Sequence, residues 1–320
     1  MQDTLNDSLS NMLRLPQVEV LLATLNGEKY LSEFLESLAG QFGVEIHLRA
    51  SDDGSIDRTI EILNQFKDNF TSFRLVDGPR KGPTANFFSL MQKSEMDYVA
   101  LADQDDIWEE NHLINSINRL KSDGNPFALT FSKVLETSNP KGYKGTVWPD
   151  IEAIPDFHEI FFENFARGCT LVMKKNLVNL VCKKRNDGIV MHDWWILLVA
   201  KSCGSVLLGH EAEVRYRLHS DNVVGRGPRL PFRIKSIFRT LFSKRWAPKL
   251  QLESLRREFA VQMSIDAKRE LDIVFEISKM TLISRATRVL LSKRKYRKNL
   301  LSDFLVKMYL IVENTNHNLK

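Results

Sequence analysis

Apolar and polar positions along the first 125 residues alternate between two periodicities. Short apolar runs that end in turn residues predict β-strands, and the segments between them have apolar residues three or four positions apart, which predicts α-helices. The predicted strands are 18–27, 44–51, 73–79 and 97–103, and the predicted helices are 28–41, 55–70, 84–94 and 110–123.

This alternation of strands and helices with short links predicts an α/β fold: a mostly parallel, Rossmann-like sheet flanked by helices. In such sheets, ligands bind beyond the carboxyl ends of the strands. The first, second and fourth predicted strands end in the polar stretches 24–27, 51–54 and 103–106. We therefore expect these three stretches to meet on one edge of the sheet.

The pattern is less regular beyond residue 125. Residues 127–136 predict a strand, 188–204 a loop that leads into a buried helix, and 205–225 a hairpin. After residue 225, Phe, Leu, Ile and Trp are interleaved with Lys and Arg, which predicts basic amphipathic helices in segments such as 229–250 and 285–312. Residues 1–15 have no persistent pattern and predict a flexible arm.

Composition adds a prediction about the compartment. The chain has 320 residues, of which 43% are hydrophobic and 27% are charged, values typical of a globular protein. No apolar run reaches the roughly 18 residues that span a bilayer, and the amino terminus lacks a signal-peptide pattern. The three cysteines (Cys169, Cys182 and Cys203) have no CxxC spacing. These features predict a cytoplasmic protein with reduced thiols.

Charge divides the chain into an acidic body and a basic tail. Residues 226–320 contain 22 Lys and Arg against 8 Asp and Glu, whereas residues 1–225 have a net charge of −9. No nucleic-acid-binding module is recognisable, so nucleic acid is not an expected partner. Basic helices with an apolar face favour binding to an anionic membrane surface, with the helices of an ordinary subdomain as the alternative.

Three carboxylates crowd the end of the fourth predicted strand: Asp103, Asp105 and Asp106. An EF-hand is excluded because Ile107 and Trp108 stand where that loop needs an oxygen ligand and a glycine. Capping of the next helix explains one carboxylate but not three. A divalent cation, Mg²⁺ or Mn²⁺, held together with the phosphates of a substrate, offsets the repulsion between the carboxylates.

Several motifs in order resemble those of family 2 glycosyltransferases, which are inverting enzymes of the GT-A fold. The first four are TLNGEKYL, SDDGSIDRT, KGPTANFF and ADQDDIW, in which DQD matches the DXD element, and NFARGCTLV, MHDWW and YRLHSDNVVG follow. The similarity spans about residues 17–225 and is greatest to the bacterial rhamnosyltransferase-like branch. It implies a catalytic domain at 16–225, with a nucleotide-sugar half (16–125) and an acceptor half (126–225), followed by a basic helical region at 226–320.

The resemblance also implies roles for individual residues on the donor side. Asp105 would ligate the metal ion, and Asp106 and His219 are further candidate ligands. Arg215 and Arg217 are candidates for contact with the diphosphate. A tight turn is the alternative for Asp53, and a structural role for His219. The residues expected at the nucleotide are Thr24, Asn26, Asp52, Asp53, Gly82, Asn86, Asp103 and Gln104.

On the acceptor side, the resemblance makes Asp193 the general base that removes the proton of the attacking hydroxyl. A helix cap is the alternative for Asp193. Cys169 as a nucleophile is not expected, since single-step inversion needs no covalent intermediate. The residues expected near the acceptor or the donor sugar are Gly168, Cys169, His192, Trp194 and Trp195, although either tryptophan can equally be part of the core.

The implied function is transfer of a sugar from a UDP- or dTDP-sugar, with rhamnose indicated only by the branch, to a saccharide or lipid-linked glycan in cell-surface polysaccharide biosynthesis. The implied location is the inner face of the plasma membrane. Two alternatives remain: a sugar nucleotidyltransferase, and a non-catalytic relative that binds a glycan or nucleotide sugar. The sequence identifies neither the sugar, nor the acceptor, nor the oligomeric state.

Overall fold

The computed structural model describes residues 14–183, 189–219 and 248–312. Most of the predicted arm, the end of the predicted hairpin and most of the predicted helix at 229–250 lie outside these residues. In the described part, nine strands form one sheet. They are β1 (Gln17–Thr24), β2 (Glu45–Asp52), β3 (Ser72–Asp77), β4 (Tyr98–Asp103), β5 (Ile107–Trp108), β6 (Ala128–Thr137), β7 (Thr146–Trp148), β8 (Val172–Lys174) and β9 (Ser205–Arg217).

The first four strands form a parallel half-sheet in the order β3-β2-β1-β4. Thr24 at the end of β1 pairs with Asp52 of β2, and Ala23 pairs with Asp103 of β4. The carboxyl ends of these three strands are therefore in register side by side. This confirms that the polar stretches after β1, β2 and β4 lie on one edge.

Beyond β4 the sheet becomes mixed. Strand β8 is antiparallel to both β4 and β6, β9 is parallel to β6, and β5 is antiparallel to β9. The predicted hairpin is wrong, because 205–217 is one continuous strand. β6 is long enough to pair with all of β9, and a register shift opposite Ser132–Val134 absorbs the extra residues of β9.

Helices cover both faces of the sheet, and the predicted α/β fold class is confirmed. Eleven helices lie in the described part of the chain. They are α1 (Leu31–Ala39), α2 (Thr59–Gln65), α3 (Pro83–Gln92), α4 (His112–Ser122), α5 (Phe157–Ile160), α6 (Lys175–Cys182), α7 (His192–Cys203), α8 (Pro248–Phe259), α9 (Ile265–Lys279), α10 (Leu282–Leu291) and α11 (Leu300–Val312).

Two hydrophobic clusters lie on the two faces of the sheet, because successive side chains of a strand point to opposite faces. On β1, Val20 and Leu22 belong to the cluster with α1, whereas Leu21 belongs to the cluster with α3 and α7. The carboxyl-terminal helices share this second cluster: Leu252 of α8 and Leu271 of α9 are buried in it. Much of their apolar surface is thus used in packing, as in an ordinary helical subdomain. No helix in the described residues is long and apolar enough to cross a bilayer.

A buried ion pair ties β9 to α4. The two oxygens of Glu213 accept hydrogen bonds from Arg119 Nη1 and Nη2, at 2.7 and 2.8 Å, and Oε2 lies 3.2 Å from His112 Nδ1. Burial by itself raises the pKa of Glu213, but the hydrogen bonds and charges of Arg119 and His112 outweigh it and lower the pKa to about 2. The ionised carboxylate is therefore strongly favoured in the folded state.

We expect Glu213→Gln to lower the free energy of unfolding at pH 7 by about 3 kcal/mol, the stabilisation that this pKa depression represents. A depressed carboxylate pKa contributes stability above the unfolded value of 4.5, and this contribution is lost as the pH falls towards 2. The difference between the two proteins should then shrink to roughly half at pH 3. Urea unfolding at both pH values measures it, with the exposed Glu211→Gln on the same strand as control. An equal difference at the two pH values would contradict the assignment.

Candidate active site

Polar residues after β1 and β2 hold the two loops together. Thr24 Oγ1 donates to Asp52 Oδ1 at 3.0 Å, and Asn26 Oδ1 accepts from the backbone N–H of Ile56, also at 3.0 Å. Asn26 has a φ of 48°, in the left-handed region where asparagine is enriched. Asp52 Oδ2 accepts the backbone N–H groups of residues 54 and 55. Three of the residues predicted at the nucleotide thus build the edge on which the nucleotide would lie.

The loop before α3 is attached to the same edge through Asp53. Its Oδ1 accepts the backbone N–H of Arg80 at 2.6 Å, and its Oδ2 accepts that of Gly82 at 3.0 Å. Gly82 has a φ of 84°, which explains the glycine. Asn86, buried on α3, donates to the backbone oxygen of Ser51 at 3.0 Å. The Asp53 side chain thus holds the loop before α3 against the end of β2.

Gln104 connects the acidic loop to the first loop. Its Nε2 donates to the backbone oxygen of Leu25, and its Oε1 accepts the backbone N–H of the same residue, both at 2.9 Å. A Cβ on Gly27 would lie 2.4 Å from Gln104 Oε1, so this contact requires glycine. The side chain of Gln104 thus fixes the position of the first loop relative to β4.

Asp105 lies on the open edge and forms a pair with His219. Asp105 Oδ2 is 2.7 Å from His219 Nε2, and the two side chains are 19% and 15% exposed. The ring of Tyr30 lies 5.3 Å from the His219 ring, between centroids. The structure thus brings together two candidate ligands that are 114 residues apart in sequence.

Asp106 lies behind this pair and is 1% exposed. Its Oδ1 accepts the backbone N–H of Arg217 at 3.0 Å, which fixes the end of β9 against the acidic loop. Burial raises the pKa of Asp106 well above its usual value, and the charges of Asp105 and Asp103 raise it further. Burial likewise raises the pKa of the free thiol of Cys169, so this side chain stays protonated and is a poor nucleophile.

Asp103 is the last residue of β4, directly before the acidic loop. Burial, together with the neighbouring charges of Asp105 and Asp193, raises its pKa to about 7, although the charge of Arg167 opposes the rise. Cys169 Sγ lies within 4.8 Å of the Asp103 carboxylate, and a Cβ on the adjacent Gly168 would lie 3.8 Å from Asp193 Cβ. Asp193 therefore lies near the acidic cluster, although 90 residues separate it from Asp103.

Asp193 and His192 begin helix α7. Asp193 is 4% exposed, and its Oδ1 accepts the backbone N–H of Trp194 at 2.7 Å. His192 stacks on Phe87 at 4.3 Å, and burial lowers its pKa, so its imidazole is neutral near pH 7.

The two tryptophans after Asp193 belong to the core. Trp194 is 4% exposed and its Nε1 donates to the backbone oxygen of Ile160 at 2.7 Å, while Trp195 is 1% exposed and packs against Phe259. Buried rings offer no face to a sugar. The sugar contact predicted for Trp194 and Trp195 is therefore not carried into the proposal below.

The two candidate phosphate-binding arginines have different surroundings. Arg215 Nε and Nη2 donate to the two carboxylate oxygens of Glu109, at 2.6 and 2.9 Å. This bidentate pair occupies the guanidinium of Arg215. Arg217 also pairs with a glutamate, Glu33, but it lies at the loop itself: its Nε donates to the backbone oxygen of Asp105 at 2.8 Å, and its guanidinium lies over the ring of Tyr30. Only Arg217 is therefore positioned beside the DXD element.

Two groups of side chains at the acidic loop can be tested as a metal site. Asp105 and His219 combine a carboxylate oxygen and an imidazole nitrogen on the open edge, where substrate phosphates can complete the shell, and they fit a divalent cation such as Mn²⁺. The ligand atoms of Asp103, Asp106 and Cys169 lie within 4.8 Å of one another. This second group is buried and includes a protonated thiol, so it suits hard cations poorly.

Comparisons with known proteins place this geometry in a family. The family model "Glycosyl transferase family 2" matches residues 19–170. The dTDP-rhamnosyl transferase RfbG of Shigella flexneri is 30% identical over 217 residues, which cover 64% of this chain and 73% of that protein. The chain belongs to glycosyltransferase family 2. It is an enzyme of this class, and the resemblance inferred from the sequence is confirmed.

Solved structures show the same fold at low sequence identity. S. aureus TarS 1–349 has a TM-score of 0.51 and 14% identity, over 92% of this chain and 88% of that one. The mannosyltransferase PcManGT of Pyrobaculum calidifontis, solved with GDP-Man and Mn²⁺, also has a TM-score of 0.51 and 14% identity, over 94% and 88%. The GT-A-type fold predicted for the glycosyltransferase is thereby confirmed.

Sequence reasoning missed Arg167, although it lies beside the acidic cluster of the glycosyltransferase. Its guanidinium is sandwiched between the rings of Trp148 and Tyr216, at 4.4 and 4.7 Å, and pairs with Glu136 at 2.7 Å. It is the cation whose charge opposes the raised pKa of Asp103. The motif around Arg167 was noticed, but its partners are 19 to 49 residues away and no local pattern indicates them.

Gly168 provides a test of how closely the acceptor side is packed in the glycosyltransferase. A Cβ at this position would lie 2.9 Å from His192 Nε2 and 3.8 Å from Asp193 Cβ. We expect Gly168→Ala to displace the start of α7 and to lower kcat about 10²-fold, as small misplacements of catalytic groups do. Steady-state kinetics measures it, with Gly124→Ala, where a Cβ meets open space, as control. Unchanged kcat would show that the start of α7 tolerates the shift.

Proposed function

We propose that the protein is an inverting glycosyltransferase that moves a sugar from a nucleoside-diphosphate sugar to a glycan hydroxyl. The observation that supports it best is the convergence of Asp105, His219, Asp103 and Asp193 on one edge of the sheet. This edge has a candidate cation site at Asp105 and His219 and a candidate base at Asp193. The charges of both Asp105 and Asp193 act on Asp103. A sugar nucleotidyltransferase or a non-catalytic relative is not carried further, because the chain belongs to a glycosyltransferase family and retains both Asp105 and Asp193.

On the donor side, the nucleotide would lie along the edge built by Thr24, Asn26, Asp52 and Asp53, with its diphosphate towards Asp105 and Arg217. Asp105 and His219 would hold a divalent cation, and a cation bound there would stabilise the charge of the departing diphosphate. Arg217 adds a second positive group beside the same loop. Because imidazole is a softer ligand than carboxylate, we expect Mn²⁺ to bind more tightly than Mg²⁺.

On the acceptor side, Asp193 would accept the proton of the acceptor hydroxyl as its oxygen attacks the anomeric carbon. The bond from that carbon to the diphosphate oxygen breaks in the same step, and the diphosphate leaves with the electron pair. Attack from the side opposite to the leaving group inverts the configuration. The neutral imidazole of His192, stacked on Phe87, would help to fix the start of the helix that carries the base.

The sugar and the location are proposed from similarity. Rhamnose from dTDP-rhamnose follows from the 30% identity to the dTDP-rhamnosyl transferase RfbG of Shigella flexneri. We propose a saccharide or lipid-linked glycan as acceptor, in polysaccharide biosynthesis at the cytoplasmic face of the membrane.

A panel of nucleotide sugars tests the proposal. The purified protein is incubated with dTDP-rhamnose, UDP-glucose, UDP-GlcNAc or GDP-mannose and Mn²⁺, without acceptor, and the released nucleoside diphosphate is measured. We expect dTDP-rhamnose to be hydrolysed fastest, and only in the presence of the cation. Equal rates for all four donors would remove the rhamnose assignment, and no hydrolysis with any donor, together with no thermal stabilisation by nucleoside diphosphate and Mn²⁺, would remove the proposed function.

A further inference from the structure

The last two described helices leave a large part of their apolar side chains in solvent. On α10, Ile283, Leu290 and Leu291 are 80%, 57% and 79% exposed, and their spacing of seven and eight residues places them along one side of the helix. On α11, Leu300 and Phe304 are 79% and 52% exposed, one turn apart. Scattered exposed apolar residues are ordinary, but this density on two neighbouring helices indicates an interaction surface.

These side chains are not core residues facing the wrong way, because each helix already buries another face. Val289 of α10 and Leu305 and Leu310 of α11 belong to the main hydrophobic cluster. Arg285 Nη1 donates to the backbone oxygen of Ile311 at 3.4 Å, so the start of α10 lies beside the end of α11 and the two helices are antiparallel. We call the exposed side of this pair the hairpin surface: Ile283, Leu290, Leu291, Leu300, Leu301, Phe304 and Val312.

The charge around the hairpin surface is almost all positive. Residues 282–312 contain eight Lys and Arg and one acidic residue, Asp303. Asp303 is buried and pairs with Lys307, and two further cations, Arg294 and Lys298, pair with Glu270 and Asp150 outside this range. Arg288, Lys293 and Lys295 form no ion pair with a carboxylate in the described residues, although all three are exposed. An apolar strip bordered by unpaired cations matches a partner that is apolar below an anionic surface.

We propose that the hairpin surface docks the enzyme on an anionic lipid bilayer. The chain's own segment 220–247 is a poorer occupant, since it carries seven Lys and Arg and one acidic residue and so has the same sign of charge. Nucleic acid matches the charge but offers little to the apolar strip. A bilayer with anionic headgroups matches both the positive charge and the apolar strip, as for other amphipathic helices that lie in the interface. This docking rests on the proposed function, because a lipid-linked acceptor is the reason for it. It adds to that function the surface that would bring the active site to the acceptor.

Flotation of the full-length protein with vesicles tests the docking. The vesicles contain phosphatidylethanolamine with one quarter phosphatidylglycerol, or phosphatidylcholine alone, at 150 mM salt. One variant carries Ile283→Ser, Leu290→Ser and Leu291→Ser, and a second carries Arg288→Gln, Lys293→Gln and Lys295→Gln. The matched control carries Val261→Ser and Ile265→Ser, two residues of the same region that are 88% and 84% exposed but lie outside the hairpin surface.

We expect the wild-type protein and the control to float with the anionic vesicles and not with phosphatidylcholine. The variant without the three cations should bind the anionic vesicles at least about 10²-fold more weakly, given about five-fold per cation near such a surface. The variant without the three apolar side chains should lose at least as much, because each of these side chains no longer transfers apolar area from water into the bilayer interface. No flotation of the wild type, equal flotation with both vesicles, or unchanged binding of either variant would overturn the proposal. Acceptor-free hydrolysis of dTDP-rhamnose and the melting temperature are measured on the same preparations. Loss of flotation with retained hydrolysis tests the docking alone, whereas absent hydrolysis in the wild type tells against the proposed function alone.

Discussion

Replacement of Asp105 by asparagine should lower kcat by about 10³-fold, because the electrostatic stabilisation of the departing diphosphate depends on this carboxylate. Asparagine preserves the shape of the side chain and can still contact His219, so the fold should be retained. The binding of metal should not be retained. We therefore also expect that dTDP with Mn²⁺, which should raise the melting temperature of the wild-type protein, no longer does so in Asp105→Asn.

The control for this experiment lies at the other end of β4. Asp97, exposed at the amino end of β4, is at the opposite edge of the sheet from the candidate site. Asp97→Asn should keep both the activity and the stabilisation by dTDP with Mn²⁺. If Asp105→Asn kept the metal-dependent stabilisation, the ligand would have to be sought in the buried group of Asp103, Asp106 and Cys169.

The second large effect is expected for Asp193→Asn, which should lower kcat by 10²- to 10⁴-fold, the usual contribution of a general base. An amide at this position can still accept the backbone N–H of Trp194, so the start of α7 should keep its conformation. Because Asp193 is not part of the proposed donor site, the stabilisation by dTDP with Mn²⁺ should not change. This separation of binding from turnover distinguishes a base from a structural cap.

Kinetics with a saturating acceptor and thermal shift on the same samples measure the two effects. Glu276→Gln, an exposed carboxylate on α9, is the matched control and should behave as wild type. A turnover within ten-fold of wild type would exclude Asp193 as the base. A fall in turnover that comes with a lower melting temperature would instead favour the helix-cap alternative.

The parallel half of the fold was predictable because its signals are local. An apolar run, its turn and the following helix are adjacent in sequence, so the edge formed by the ends of β1, β2 and β4 followed from pattern alone. The course of β9 was not predictable, because Gly209 resembles a turn residue and only the length of its distant partner β6 keeps the strand continuous.

The candidate site was predictable in its residues but not in their contacts. The motifs indicated Asp105 and His219, and the structure places them 2.7 Å apart. No pattern indicated that Asp106, two positions from Gln104 in the same motif, anchors the backbone of Arg217. Asp106 differs from Asp105 because its side chain is buried, and this burial depends on a segment about one hundred residues away. The same holds for Trp194, whose position in the core depends on Ile160.

The hydrogen bonds that join the loops after β1, β2 and β4 limit how donor preference can be engineered. The backbone of Leu25 forms two hydrogen bonds with the side chain of Gln104. Asn26 Oδ1 accepts the backbone N–H of Ile56, and Thr24 Oγ1 donates to Asp52. A single loop grafted from a relative with another donor would lose its partners in the two loops that remain. Residues 24–27, 51–57 and 104 are thus best exchanged together, as one module.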